Sequence, residues 1–165
     1  MTLLTNILLF VATFWFMEFM AWFTHKYVMH GFLWSLHRDH HQKGKSWWER
    51  NDVFFIMYAI PSWLLIMYGM MNNFDFRVPI GFGIAAYGAA YFAVHDIFIH
   101  QRFKWLRRSN HPYWMAIRKA HKVHHKHLHK QQGECFGMLI VPWKYYREAK
   151  KAAVAKKLPA KRATA

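Results

Sequence analysis

Ten histidines in four short clusters are the residues of this chain whose type and spacing could do chemistry. "HKYVMH" sets His25 and His30 five positions apart, and "HRDHH" follows with His37, His40 and His41. "HDIFIH" repeats the first spacing with His95 and His100, and "HKVHH" repeats the second with His121, His124 and His125. The order is the same in both halves. Neutral imidazole is a ligand for zinc, copper, iron and nickel, and an ion takes about four to six ligands, so ten histidines suit two ions. The single cysteine, Cys135, rules out a cysteine-based metal cluster and an intrachain disulfide. Any metal site must be built from histidine and carboxylate. No H-E-x-x-H occurs, which argues against a zinc protease. No glutamate has a histidine three positions on, so the carboxylate-rich di-iron pattern is missing as well.

The spacings predict local structure. At about 100° per residue, positions i, i+3 and i+4 of a helix fall within an arc of about 100°. The three imidazoles of each H-x2-H-H run then point together, and adjacent ones can serve two metals. The H-x4-H pairs fit a regular helix poorly, because positions five apart diverge by about 140°. Each pair is therefore expected at a helix end, or at a local widening where the second histidine can turn inward. The remaining histidines are read otherwise: His111, before a proline, as a cap or loop residue, and His127 and His129 as solvated or supporting groups. Metal-bound histidine usually donates its other N–H to a carboxylate or carbonyl. Asp39 and Asp96 lie in or beside the clusters and are the expected acceptors, with Asp52 and Glu18 as weaker ones.

The elements that must position these clusters are membrane spans. The chain carries 23 Lys and Arg against 8 Asp and Glu, yet 55% of its residues are hydrophobic, and the two populations are segregated. Three apolar runs, Leu3 to Phe23, Val53 to Met71 and Val78 to Ile99, each approach the roughly 20 residues that cross a bilayer. The first lacks a basic leader and a cleavage pattern and is read as a retained helix rather than a signal peptide. Pro61 lies inside the second span, where a kink is tolerated. Gly81, Gly83, Ala85, Gly88 and Ala89 in the third permit close helix contact. Asn72 and Asn73 mark the turn between the last two.

If the spans alternate, 22 of the 23 basic residues fall on one side, with only Arg77 on the other. By the positive-inside rule that side is the cytoplasm, and the N-terminus is outside. All thirteen histidines lie on the same side or at the inner ends of spans one and three. A helix is expected from about Tyr113 to Lys130. "GECFGMLIVP" is too short to span. "WKYYREAKKAAVAKK" reads as an amphipathic helix on anionic lipid, and the last residues as a tail. The expected architecture is all-α: an integral membrane protein with about three transmembrane helices, plus cytoplasmic helices that form a His-rich di-metal site. Residues 1–142 form the membrane domain, and 143–165 a basic amphipathic helix and tail.

The ordered set of four clusters resembles the membrane non-haem di-iron hydroxylases of the fatty acid hydroxylase superfamily. Within it, "HKYVMHG", "YFAVHDIFIHQRF", "AHKVHH" and the six residues between His30 and His37 are similar to the bacterial carotenoid ring hydroxylases. The resemblance spans roughly residues 15–142, and all ten motif positions are present. It implies that His25, His30, His37, His40, His41, His95, His100, His121, His124 and His125 hold two iron ions, which zinc can replace. No separate side-chain acid or base is assigned. It further implies dioxygen, a ferredoxin-type electron donor, and monooxygenase chemistry at C3 of the β-ionone ring, taking β-carotene through β-cryptoxanthin to zeaxanthin. Keto-carotenoids are accepted by some members.

The expected setting is the bacterial cytoplasmic membrane, with lipid as a partner, a lipophilic carotenoid as substrate, and no nucleic acid. Rival readings are a sterol or fatty-acyl hydroxylase on the same scaffold, or a non-enzymatic membrane metal-binding protein. Ordered clusters rather than a low-complexity histidine tract argue against the last. Lys122, Lys126 and Lys130, spaced by four, are expected off the histidine arc, facing lipid headgroups or an acidic donor. Trp15, Trp22, Trp34, Trp47, Trp48 and Trp63 are candidates for lining a polyene tunnel, with an interfacial belt as the competing reading.

Overall fold

The computed structural model describes residues 1–42, 48–103, 109–128 and 133–157. Among these, all regular structure is helical. Helix α1 (Leu3–Phe23) is capped by Thr2, whose side chain accepts from the Thr5 amide at 3.2 Å. It continues without a break into a π-helical segment, Thr24–Phe32, so the first apolar helix runs 30 residues. Gly31 leaves helical geometry near its end, and α2 (Trp34–His41) follows. α3 (Asp52–Met71) carries Pro61 inside an unbroken helix. α4 (Arg77–Phe92) passes into a second π segment, Ala93–Ile99. α5 spans Pro112–His124 and α6 spans Trp143–Lys157. Three helices, Leu3–Phe32, Asp52–Met71 and Arg77–Ile99, are long and apolar enough to cross a membrane.

The spans pack as a bundle around α4, and its glycines are the reason it can sit between α1 and α3. A Cβ on Gly81 would stand 2.7 Å from Ile66 and 2.8 Å from the Ser62 carbonyl on α3. A Cβ on Gly83 would stand 2.8 Å from Thr13 on α1. Such small-residue contacts let helix backbones approach where lipid supplies no hydrophobic drive between helices. Ser62 adds a hydrogen bond from its hydroxyl to the Gly81 carbonyl at 2.8 Å. The α3–α4 turn places Asn73 and Phe74 at positive φ.

α5 and α6 pack on each other through Ala116, Ala120, Tyr145 and Ala149. Residues 133–142 cross between these helices and the bundle as a non-helical strap, and Met138 packs with Ile117 of α5 and Val94. α5 is shorter than the sequence pattern predicts. Pro112 starts it, as expected for the first helical turn, but it stops at His124 rather than near Lys130. The last amides tighten to i→i+3 bonds, Lys126 to Val123 and His127 to His124. The chain then turns away, and the Leu128 carbonyl faces His30. Lys126 consequently lies beyond the helix, so the four-residue lysine repeat is not a helix face. His129 and Lys130 fall outside the described residues.

Candidate metal centre

The H-x4-H pairs lie at the two π segments, with His100 as the residue that ends the second, and these are the local widening that their spacing calls for. A π turn bonds residue i+5 back to residue i. The His100 amide bonds the His95 carbonyl at 2.9 Å, and the Leu33 amide bonds the Val28 carbonyl at 3.0 Å. The histidines of each pair thereby share a face, with ring centroids 5.2 Å apart for His25 and His30 and 4.5 Å for His95 and His100.

The ten imidazoles gather into two adjoining groups. His25, His30, His37, His41 and His124 form one, and His40, His95, His100 and His121 the other, with ligand atoms in each group within 4.8 Å of one another. His125 adjoins the second group, its Nε2 lying 2.8 Å from that of His121. Each triplet is split: its first and last members join the H-x4-H pair of their own half, and its middle member crosses to the other. His40 crosses to His95, and His124 crosses to His30. With His125 counted, exchanging the two halves of the sequence maps one group of five onto the other.

The hydrogen-bond partners of these rings fix where their protons sit, and so what the groups can hold. His25 Nδ1 donates to the Phe136 carbonyl at 2.9 Å, and His37 Nδ1 donates to Asn51 Oδ1 at 2.7 Å. His30 Nδ1 donates to the Leu128 carbonyl at 3.0 Å, and His124 Nδ1 to the Glu134 carbonyl at 3.1 Å. His40 Nδ1 donates to Glu49 at 2.9 Å, and His95 Nδ1 to Asp96 at 3.1 Å. Carbonyls and carboxylates only accept, so a neutral ring with its proton on Nδ1 presents a bare lone pair at Nε2. Those lone pairs face each other in three pairs: His25 and His37 at 3.1 Å, His30 and His124 at 3.2 Å, His40 and His95 at 3.0 Å. Two opposed acceptors repel unless a cation lies between them. Nitrogens about 2.1 Å from a shared ion and about at right angles would be roughly 3.0 Å apart. The donor set therefore fits a metal ion in each group.

Burial keeps the lone pairs free. Loss of hydration, followed by repulsion from neighbouring imidazoles, pushes His41 down to about 3 and His125 to about 4. Loss of hydration also pushes His37 and His124 down to about 2, the Asn51 contact opposing it at His37. The same desolvation and repulsion hold His40, His100 and His121 below the ordinary histidine value. All seven are neutral at neutral pH, the form that ligates metal.

Arg102 ties the supporting carboxylates together, reaching Asp52 at 2.9 Å, Asp96 at 3.1 Å and Glu49 at 3.3 Å. Of the expected acceptors, Asp96 alone receives a histidine N–H among the described residues. Asp39 instead accepts from the Arg50 amide, Asp52 from Arg102 and the Glu49 amide, and Glu18 from the Met138 amide and the Tyr87 hydroxyl. Glu49 and Asn51 take the roles expected of Asp39 and Asp52. Their one signal in the sequence is polarity immediately ahead of an apolar helix. His111 is the residue before α5 and makes no side-chain cap bond.

A cavity of 680 Å³ opens among α1, α3 and α4. Its wall is mostly apolar, with Phe55, Ile66 and Ile84, and small residues Ala59, Ala85 and Gly88 give it room. It reaches His25 of one group and His95 of the other. Among the tryptophan candidates, Trp48 and Trp63 line it. Trp15 is exposed on the outer surface of the bundle, Trp34 packs against His30 and His41, and Trp22 packs on Phe19 and Tyr27. Trp47 lies outside the described residues.

The fatty acid hydroxylase family model matches residues 10–146. The chain is similar to a β-carotene hydroxylase of Pantoea ananas, 38% identical over 76% of this chain and 71% of the relative. It is similar to a β-carotene hydroxylase of Pseudescherichia vulneris, 35% identical over 83% of this chain and 77% of that one. It is also similar to a chloroplastic β-carotene 3-hydroxylase of Arabidopsis thaliana, 37% identical over 76% of this chain, of which it spans only 42%. No solved structure matches it.

Proposed function

The chain belongs to the fatty acid hydroxylase family, and from that premise we propose that it is a membrane monooxygenase that hydroxylates C3 of the β-ionone rings of a carotenoid. The observation that carries this reading is the cavity: an apolar space between membrane-compatible helices that ends on one imidazole from each histidine group. A hydrocarbon dissolved in the bilayer can enter such a space sideways, whereas a polar substrate would leave its polar groups unpaired against those walls. The names of the relatives support β-carotene as the substrate and carbon 3 as the position; in this reading β-carotene passes through β-cryptoxanthin to zeaxanthin.

In this reading His25, His30, His37, His41 and His124 hold one iron ion, and His40, His95, His100, His121 and His125 hold the second. Imidazole suits iron, and zinc competes for the same ligands. Bound iron would supply the activation of dioxygen and the oxidising power that no side chain has. The chain's own residues do the rest. The apolar walls orient the ring and exclude water from the histidines. Glu49, Asp96, Asn51 and the three carbonyls keep each proton on Nδ1 and fix each ring's direction. The charge partition supports a cytoplasmic site and C-terminus, and exposed Lys122 and Lys126 offer a basic surface to a ferredoxin-type donor.

The test is expression in a host that accumulates β-carotene. The monohydroxylated pigment should appear first and zeaxanthin later, with the hydroxyl oxygen drawn from isotopically labelled dioxygen. Unchanged β-carotene alongside hydroxylation of a sterol or fatty acid would overturn the carotenoid reading. A reporter fused after Ala165 that is active only outside the membrane would overturn the orientation.

A further inference from the structure

Glu18 is a carboxylate in the middle of an apolar span, 5% exposed, and its hydrogen bonds among the described residues go to the segment 138–140 and Tyr87. Its surroundings are specific. Oε1 accepts from the amides of Met138, Leu139 and Ile140, each at 2.9 Å. Oε2 accepts from the Tyr87 hydroxyl at 2.7 Å and the Leu139 amide at 3.1 Å. A Cβ on Gly137 would stand 2.8 Å from Oε1, so the strap closes around the carboxylate. Three successive backbone donors in apolar surroundings have here one acceptor in common, and irregular backbone at membrane depth persists only where such groups are satisfied.

The same strap carries two of the carbonyls that orient histidines. Phe136 accepts from His25, and Glu134 from His124. Cys135, between them, has a φ of 63°, a conformation that a residue with a side chain rarely adopts. That left-handed step lets both flanking carbonyls meet the histidine cluster. Both of these histidines belong to the first group. In the second group the acceptors found are the carboxylates Glu49 and Asp96, which do not come from the strap.

We propose that Glu18 is a positioning residue for the first metal-binding group alone, acting through the strap it anchors to hold His25 and His124 in their ligating orientation. This rests on the two-ion reading. Glu18→Gln preserves volume but leaves one acceptor oxygen in place of two, with an N–H group facing the Leu139 amide and the Tyr87 hydroxyl, and the strap's anchor is weakened. Gly137→Ala presses on the same carboxylate from the strap side and provides a second, independent variant. The experiment measures iron per chain and the Mössbauer spectrum of wild type and both variants, with Tyr87→Phe as a control that spares the three amides.

Wild type should hold two ions in two spectral components. Glu18→Gln and Gly137→Ala should each lose one ion and one component, with the other component unshifted, and Tyr87→Phe should keep both. Two ions with an unchanged spectrum in both variants would overturn the proposal. So would equal loss from both components, which is what a general role in folding produces. If Glu18→Gln does not accumulate in the membrane, Gly137→Ala decides by the same criteria. Fewer than two ions in active wild type would overturn the two-ion reading, and this inference with it.

Discussion

His41 and His125 stack ring on ring, with centroids 4.4 Å apart and planes 25° from parallel. Each is the last member of its H-x2-H-H triplet, and they come from opposite halves of the chain. Exchanging the halves exchanges these two residues, so their contact lies where the two groups of five meet. Neither half can complete its own group, because each lends its middle histidine to the other.

That crossing has a direct consequence for mutation. His40→Ala should deplete the ion held with His95 and His100, although His40 belongs to the first half. His124→Ala should deplete the ion held with His25 and His30. Each should take the protein from two ions to about one, because a ligand that also faces a lone pair at close range leaves a weakened site. His111→Ala should leave both ions in place. Metal analysis combined with Mössbauer spectroscopy distinguishes which component is lost. Loss of the same component in both variants would contradict the crossing.

Glu49→Gln tests the support of the second group. The carboxylate takes the His40 proton and pairs with Arg102. An amide in its place weakens both contacts, and partners of this kind are typically worth about 10–100-fold in metal affinity. Competition with a chelator should show that loss in one of two sites. Equal affinity to wild type would mean that the His40 ring is fixed by packing alone.

Gly88→Leu tests the cavity. The nearest atom to a Cβ at Gly88 is Phe55 Cε2 at 3.7 Å, so a side chain can start there without a clash and must then extend into the cavity. The variant should keep both ions while kcat/KM for the carotenoid falls about tenfold or more, a loss of ring positioning rather than of metal. Undiminished turnover would show that the substrate reaches the histidines by another route.

Gly81→Ala tests the bundle. Its Cβ would meet Ile66 and the Ser62 carbonyl at under 3 Å, and the carbonyl cannot move without its helix. Overpacking of this kind costs about 1–3 kcal/mol. Thermal unfolding in detergent should show a lower midpoint, whereas Gly88→Ala, with space around its Cβ, should not.

The three spans and the clustering of histidines were legible in the sequence because both rest on periodicity and length. So, as one of two alternatives beside a helix end, was the widening at each H-x4-H pair, since residues five apart do not share a face of a regular helix. What could not be read was the partition into groups. The triplets of His37, His40, His41 and His121, His124, His125 look like single faces, and only the meeting of two helices decides which ring crosses. Backbone acceptors were invisible for a different reason. The Phe136, Glu134 and Leu128 carbonyls have no side-chain signature, and what aims two of them is a strap whose conformation depends on Glu18 more than a hundred positions earlier. Asp39 misled because nearness in sequence to His40 does not survive the turn after α2, which leaves it against Arg50.

The two π segments make the spans unequally sensitive to a lost codon. Each holds one residue more than an α-helical turn would, as if an insertion had been absorbed without disturbing the helix on either side. Removing Val28 would shorten the first pair to an H-x3-H, which an α-helix accommodates on one face. His25 and His30 would still point together after the turn relaxed. Removing Phe19 instead would rotate Glu18 against both histidines by about 100°, with no widened turn in between to take up the slip. The reading frame of this helix therefore has one elastic place, and it lies between the two histidines.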